Sequence, residues 1–125
     1  MRGDPPVVER LRAVGRGDVG IPQPVIAEIA YGIERLAGSK RKTTLRERFD
    51  LVRTELGRSQ WTDAVSGHFG VVKAALQRRG TRIEDFDAAI AAHALAEGAV
   101  LVTADLQHMV RVPGLTVEDW ANKGR

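Results

Sequence analysis

Three carboxylates stand where a charge interrupts an apolar pattern: Glu28, Asp87 and Asp105. Burying an unpaired carboxylate is costly, so an acid in such a place requires a cation or a set of hydrogen-bond donors. On a helical wheel of about 100° per residue, Glu28 falls at the edge of the stripe formed by Val25, Ile29 and Ile33, beside Gly32, whereas Glu34 points to solvent. Asp87 opens an alanine-rich segment and shares a face with Ala91 and Ala94, with Asp85 on the far side. Asp105 follows the apolar run Ala99-Val100-Leu101-Val102, just past Thr103. Open α/β sheets place their ligands at that carboxyl edge. Three oxygen donors from separate elements suit a hard ion such as Mg²⁺ or Mn²⁺. Each acid also has a structural reading. Glu28 could pair with Arg35 or gain from its helix dipole, Asp87 could satisfy first-turn N–H groups, and Asp105 could cap a turn through Leu106 to Met109.

Other chemistries find less support. With no cysteine, thiol catalysis, disulfide scaffolds and thiolate-bound metals are excluded. His68, His93 and His108 have no i, i+4 pairing and no HExxH context, which disfavours zinc. His68 and His93 read as structural or surface residues, and His108 as a weaker candidate for substrate contact near Asp105. The 13 glycines are scattered, so no phosphate loop of the P-loop or dinucleotide type is present. Ser39, Ser59 and Ser66 read as turn or helix residues, outside any G-x-S-x-G elbow.

The elements that must carry these acids alternate. Val7, Val8, Leu11 and Val14 predict a short amphipathic helix, and Asp18–Ile21 a brief strand ended by Pro22 and Pro24. Val25, Ile29, Ile33 and Leu36 predict a helix ending at Gly38-Ser39, and Leu45, Phe49, Val52 and Leu56 a second one. Together these form a helical hairpin turned at Lys40-Arg41-Lys42. Gln60–Thr62 reads as a short strand, Asp63–Arg79 as a helix closed by Gly80, and Phe86–Ala96 as a helix apolar on nearly every side. Ala99–Val102 reads as a strand buried on both faces, and Leu115–Val117 as a weaker strand. This order predicts an α/β fold with a mainly parallel sheet. The 125 residues suit a single domain spanning 1–125 with a core of its own. There is neither a signal-peptide pattern nor an apolar run near the ~20 residues of a membrane span. A cytoplasmic protein is expected. The net charge of +3 is uneven: residues 34–58 hold 8 basic and 4 acidic residues, and 81–125 hold 4 and 7. That distribution permits a polyanionic partner near the middle and a cation near the acidic end, or simply a solvated helical surface.

Four blocks carry a family resemblance: Pro24 to Gly32, Asp87 to Ala96, Leu101-Val102-Thr103-Ala104-Asp105, and Arg111-Val112-Pro113-Gly114-Leu115 with Glu118-Asp119-Trp120. In this order they resemble a PIN-domain protein of the VapC toxin type, over essentially the whole chain. The resemblance implies a three-layer α/β/α domain with a protruding helical hairpin. It further implies the toxin of a type II toxin–antitoxin module, a Mg²⁺-dependent endoribonuclease inhibited by a VapB-like antitoxin protein. By motif, Glu28, Asp87 and Asp105 take the metal-binding positions, and Thr103 the hydroxyl position beside them. Mn²⁺ is a possible substitute ion. Arg35, Lys40, Arg41, Lys42, Arg46 and Arg48 become candidates for RNA phosphate contacts. Tyr31, Leu45 and Phe49 on the hairpin are expected at antitoxin and homodimer contacts. Family members begin with an apolar strand ending in an Asp-Thr-Asn type motif, and this chain begins after the matching point. Asp4 precedes a proline and does not replace that acid. The alternative expectation is a shortened module that binds antitoxin without cleaving RNA.

Overall fold

The structure, a computed structural model, describes residues 20–38, 40–103 and 105–119. The predicted helix over Val7–Val14, the residue Asp4 and the first two residues of the strand read from Asp18 lie outside them, as do Ala104 and Trp120. The chain divides into two compact units, Met1–Ser59 and Gln60–Arg125.

In the first unit, strand β1 (Gly20–Pro22) leads directly into helix α1 (Gln23–Glu34). Pro24 lies in the first turn of α1, where its missing N–H costs no helical hydrogen bond. Helix α2 (Lys40–Glu55) follows, then strand β2 (Gly57–Ser59), which pairs in parallel with β1 in the register Gly20↔Gly57 and Pro22↔Ser59. Three expectations shift here. Lys40, Arg41 and Lys42 form the first turn of α2 instead of the hairpin's turn, because straight-chain basic residues are good helix formers. The strand expected at Gln60–Thr62 lies three residues earlier. Beyond Pro24 in the first turn, Ile26 and Ile33 are the buried residues of α1, while Ile29 is 39% exposed, so the buried line is rotated from the stripe read along Val25, Ile29 and Ile33. Glu34 accepts a hydrogen bond from Arg46 and pairs with Lys42 at 3.7 Å, tying α2 back to α1. The Arg46 hydrogen bond, followed by the Lys42 charge, lowers the Glu34 carboxyl below its ordinary pKa.

The second unit opens with helix α3 (Asp63–Arg78) and helix α4 (Asp85–Ala96). Thr62, expected in a strand, caps α3 instead, its hydroxyl accepting from the Val65 N–H at 3.3 Å. The C-terminus of α3 is a Schellman turn. Gly80, at φ +73°, donates to Gln77 at 3.0 Å, and Thr81 donates to Leu76 at 2.9 Å. The left-handed conformation disfavours any side chain, so Gly80→Ala is expected to destabilise the protein by about 1 kcal/mol in urea unfolding.

Strand β3 (Leu101–Val102), the single-turn helix α5 (Leu106–Met109) and strand β4 (Val117–Glu118) complete this unit, with β3 and β4 parallel. Leu101 is buried, but Val100 and Val102 are 46% and 42% exposed. The apolar run is therefore a two-residue strand covered on one face, not a strand buried on both. The core joins Val72 and Leu76 of α3, Ala88, Ala91 and Ala94 of α4, Leu101, Met109 and Val112. The alanines let two helices approach closely.

His93 is 1% exposed within α4 and meets the edge of the Trp61 ring at a centroid distance of 5.6 Å. Trp61 itself donates from Nε1 to Ser66 Oγ at 2.7 Å. Burial pushes the His93 pKa down, against an opposing pull from Glu97. A histidine with a folded pKa below its unfolded value contributes stability above the unfolded pKa and loses it as pH falls. Stability should accordingly drop as pH falls below the ordinary histidine value of about 6.5. Chemical unfolding between pH 8 and pH 5 should show a shallower drop in His93→Gln.

Candidate functional site

In the second unit, Asp87 of α4 and Asp105 after β3 lie within electrostatic reach of each other. Asp87 is the third residue of α4, half-buried, and lies where the free N–H groups of a first turn favour an anion. Asp105 follows β3 and caps α5, its Oδ1 accepting from the His108 N–H at 3.4 Å. Thr103 fixes the approach. Its N–H donates to Glu118 O at 3.0 Å, extending the β3–β4 pairing, and its Oγ1 accepts from the Asp105 N–H at 3.0 Å. The capping role anticipated for Asp105 and its place at a strand's carboxyl edge thus hold together.

The two acids differ electrostatically. Burial, then the Asp105 charge, pushes the Asp87 carboxyl above its ordinary value, with Glu84 adding to the rise and His108 opposing it. Asp105 is held below its ordinary value, first by a hydrogen bond from the His108 ring and last by the Arg111 charge. His108 Nδ1 lies 2.8 Å from Asp105 Oδ1 and 3.1 Å from Oδ2. Burial and a neighbouring charge thus shift one carboxyl up while a histidine shifts the other down, a pattern that recurs at functional sites. The donor chemistry fits a hard cation, since Mg²⁺ is commonly held through one or two carboxylates and keeps several waters. Among the described residues, no group of three or more acidic or histidine side chains surrounds one point.

Of the residues singled out in the sequence, Asp87, Asp105 and Thr103 belong to this unit. Glu28 belongs to α1 of the first unit and is exposed. It stands about 200° around the helix from Ile26, on the opposite side from the buried line. Asp85 is exposed and pairs with Lys73 at 3.0 Å, consistent with its reading on the far side of α4. His108, read as a substrate contact, is the immediate partner of Asp105. Its spacing of three from a capping acid was the available signal. Arg79 and Arg111 drew no role from sequence, yet the Arg79 guanidinium reaches the Arg111 carbonyl at 3.4 Å.

The family model for the PIN domain matches residues 2–115. The chain belongs to the PIN-domain family. Its relatives include ribonuclease VapC2 of Rickettsia felis, 30% identical over 102 residues that make up 82% of this chain and 74% of that protein. The tRNA(fMet)-specific endonuclease VapC of Salmonella typhimurium is 35% identical over 95 residues, 76% of this chain and 70% of that one. The crystal structure of DNA-bound VapBC from Salmonella typhimurium matches with a TM-score of 0.82 at 29% identity, covering 93% of this chain and 85% of that chain. The α/β fold expected from sequence is thus the PIN fold, of the VapC type. The parallel pairings β1–β2 and β3–β4 follow that expectation.

Proposed function

We propose that this PIN domain is the toxin of a type II toxin–antitoxin module and a Mg²⁺-dependent endoribonuclease. The observation carrying this reading is that burial and the charge of Asp105, at the carboxyl end of β3, raise the pKa of Asp87 in the first turn of α4, in a chain whose relatives are named ribonucleases. Asp87 and Asp105 would hold the ion, with Glu28 assigned as the third carboxylate on the family resemblance. When bound, Mg²⁺ supplies an activated water and offsets charge developing on the scissile phosphate. The His108 hydrogen bond favours the ionised form of Asp105, Asp87 offers a second oxygen donor, and Thr103 holds the Asp105 backbone in place.

The partner in this reading is a VapB-like antitoxin, and the toxin acts as a homodimer. The hairpin supports both contacts: Tyr31 and Leu51 are 67% and 63% exposed, more than apolar side chains need to be. Leu45 and Phe49 are half-buried, with Phe49 beneath the Arg53 guanidinium at 5.1 Å. Among the described residues no helix is long and apolar enough to cross a membrane. A cytoplasmic site of action accords with an RNA substrate.

The test is a Mg²⁺ titration of RNA cleavage, with calorimetric Mn²⁺ binding to the wild type and to Asp87→Asn and Asp105→Asn. Cleavage that needs the ion, and Mn²⁺ binding lost in both variants, is expected. Stable binding to a VapB-like antitoxin without any cleavage would instead favour a non-catalytic module.

A further inference from the structure

Among the described residues, the second unit carries arginines that are held in no ion pair by its own acids. Arg78 ends α3, Arg79 is its C-cap, and Arg82 lies two residues past Gly80. The Schellman turn around Gly80 holds this segment in a fixed backbone shape. Arg111 lies two residues past α5, where its N–H donates to His108 O at 3.3 Å. The Arg79 Nη1 contact with Arg111 O ties the α3 turn to the chain that follows the Asp105 cap. Arg78, Arg79 and Arg82 are exposed and Arg111 is half-buried.

Among the described residues, none of these four arginines forms an ion pair with a carboxylate. The hairpin differs. There Lys42 and Arg46 share Glu34, Arg53 pairs with Asp50 at 3.8 Å, and Arg35 lies over the Tyr31 ring. The basic residues first expected to meet RNA are thus partly committed within the hairpin. The guanidinium groups beside α5 have the planar fork of donors that binds phosphate. Helix-terminal arginines also complement a C-terminal dipole. Arg111 follows α5, a single turn with few aligned peptide dipoles for a cation to complement.

We infer that Arg79 and Arg111 form a phosphate-binding lobe that positions the RNA backbone beside the Asp87 and Asp105 pair. The inference rests on the ribonuclease reading and names where its substrate's backbone is held. Both are positioning residues, acting on phosphates next to the cleaved one. Contacts of this kind fix register without reading bases.

The experiment measures binding of a fluorescein-labelled single-stranded RNA by anisotropy in EDTA across a range of KCl, and steady-state cleavage in Mg²⁺. The proteins are wild type, Arg79→Gln, Arg111→Gln, the double variant, Arg79→Lys, and Arg58→Gln as an exposed control on β2. The double variant is expected to bind RNA about tenfold more weakly. The salt slope of its affinity should fall by about 0.7 for each arginine removed. KM should rise with kcat nearly unchanged. Arg79→Lys should retain most of the slope, and Arg58→Gln all of it. If the wild type cleaves RNA and the double variant keeps its affinity, slope and KM, the lobe is refuted while the ribonuclease reading stands. A double variant that loses antitoxin binding but not RNA binding would also overturn the lobe, assigning the arginines to a protein contact. If the wild type neither binds nor cleaves RNA, the ribonuclease reading fails first.

Discussion

Asp87→Asn is expected to lower Mg²⁺-dependent RNA cleavage by about 10²- to 10³-fold, the scale of removing one strong electrostatic contact to the reacting group. The same substitution should leave the metal-free protein at least as stable as wild type. The sign follows from the carboxyl pair. Burial and the Asp105 charge raise the Asp87 pKa, so folding favours its protonated form. Its stabilising contribution is complete below the ordinary aspartate value of about 3.9 and is lost as pH rises through the raised value. At neutral pH the ionised carboxyl is a liability that asparagine removes. Adding Mn²⁺ should raise the melting temperature of wild type and not of the variant, because an ion that binds only the folded state stabilises it by mass action. Ion binding should weaken as pH falls toward the raised Asp87 value, as protons compete for that oxygen. Asp85→Asn, two residues away and paired with Lys73, is the matched control and should cleave normally. Thermal scans and cleavage assays on the three proteins check all of this. An Asp87→Asn protein as active as wild type would remove the pair from the chemistry.

Leu76→Ala is expected to destabilise the protein by about 2–5 kcal/mol, the range for deleting a large buried aliphatic side chain. Leu76 is 0% exposed and sits in the core with Ala88, Ala91 and Met109. Its alanine neighbours have no spare side chain to swing into the cavity, which places the expected loss toward the upper half of that range. The exposed Val71 lies on the same helix at 66% exposure, and Val71→Ala should cost no more than about 0.5 kcal/mol. Urea unfolding followed by Trp61 fluorescence distinguishes the two. A loss below about 1 kcal/mol for Leu76→Ala would mean that this core closes more readily than its packing implies. The same core holds α4, β3 and α5, so cleavage by Leu76→Ala should fail at a lower temperature than cleavage by wild type.

The helices were legible because an apolar period near 3.6 survives single-residue errors, and α3 and α4 fell within one residue of their predicted ends. The strands were less so. Each spans only two or three residues, too short for a period of two to show. The Gln60–Thr62 reading failed because Thr62 serves a helix cap, which composition alone does not separate from a strand end. Lys40 to Lys42 looked like a turn by charge, but charge does not stop a helix of straight-chain residues. The one-sided burial of β3 was hidden because an apolar run reads the same whether one face is covered or two.

The sequence by itself determined the chemistry available: oxygen donors without thiols, acids set against small apolar neighbours, and family motifs sufficient to identify a PIN domain of the VapC type. It also anticipated the cap at Asp105, a contact between near neighbours in the chain. The tertiary structure alone decided that Asp87 and Asp105 share one electrostatic field although 18 positions separate them. It likewise decided that Arg79 reaches the chain at Arg111, 32 residues away. Local pattern records what a residue can do within a few turns of backbone. The field felt by a carboxylate depends on distances in space, which only the packing of α3, α4 and α5 around their shared core sets.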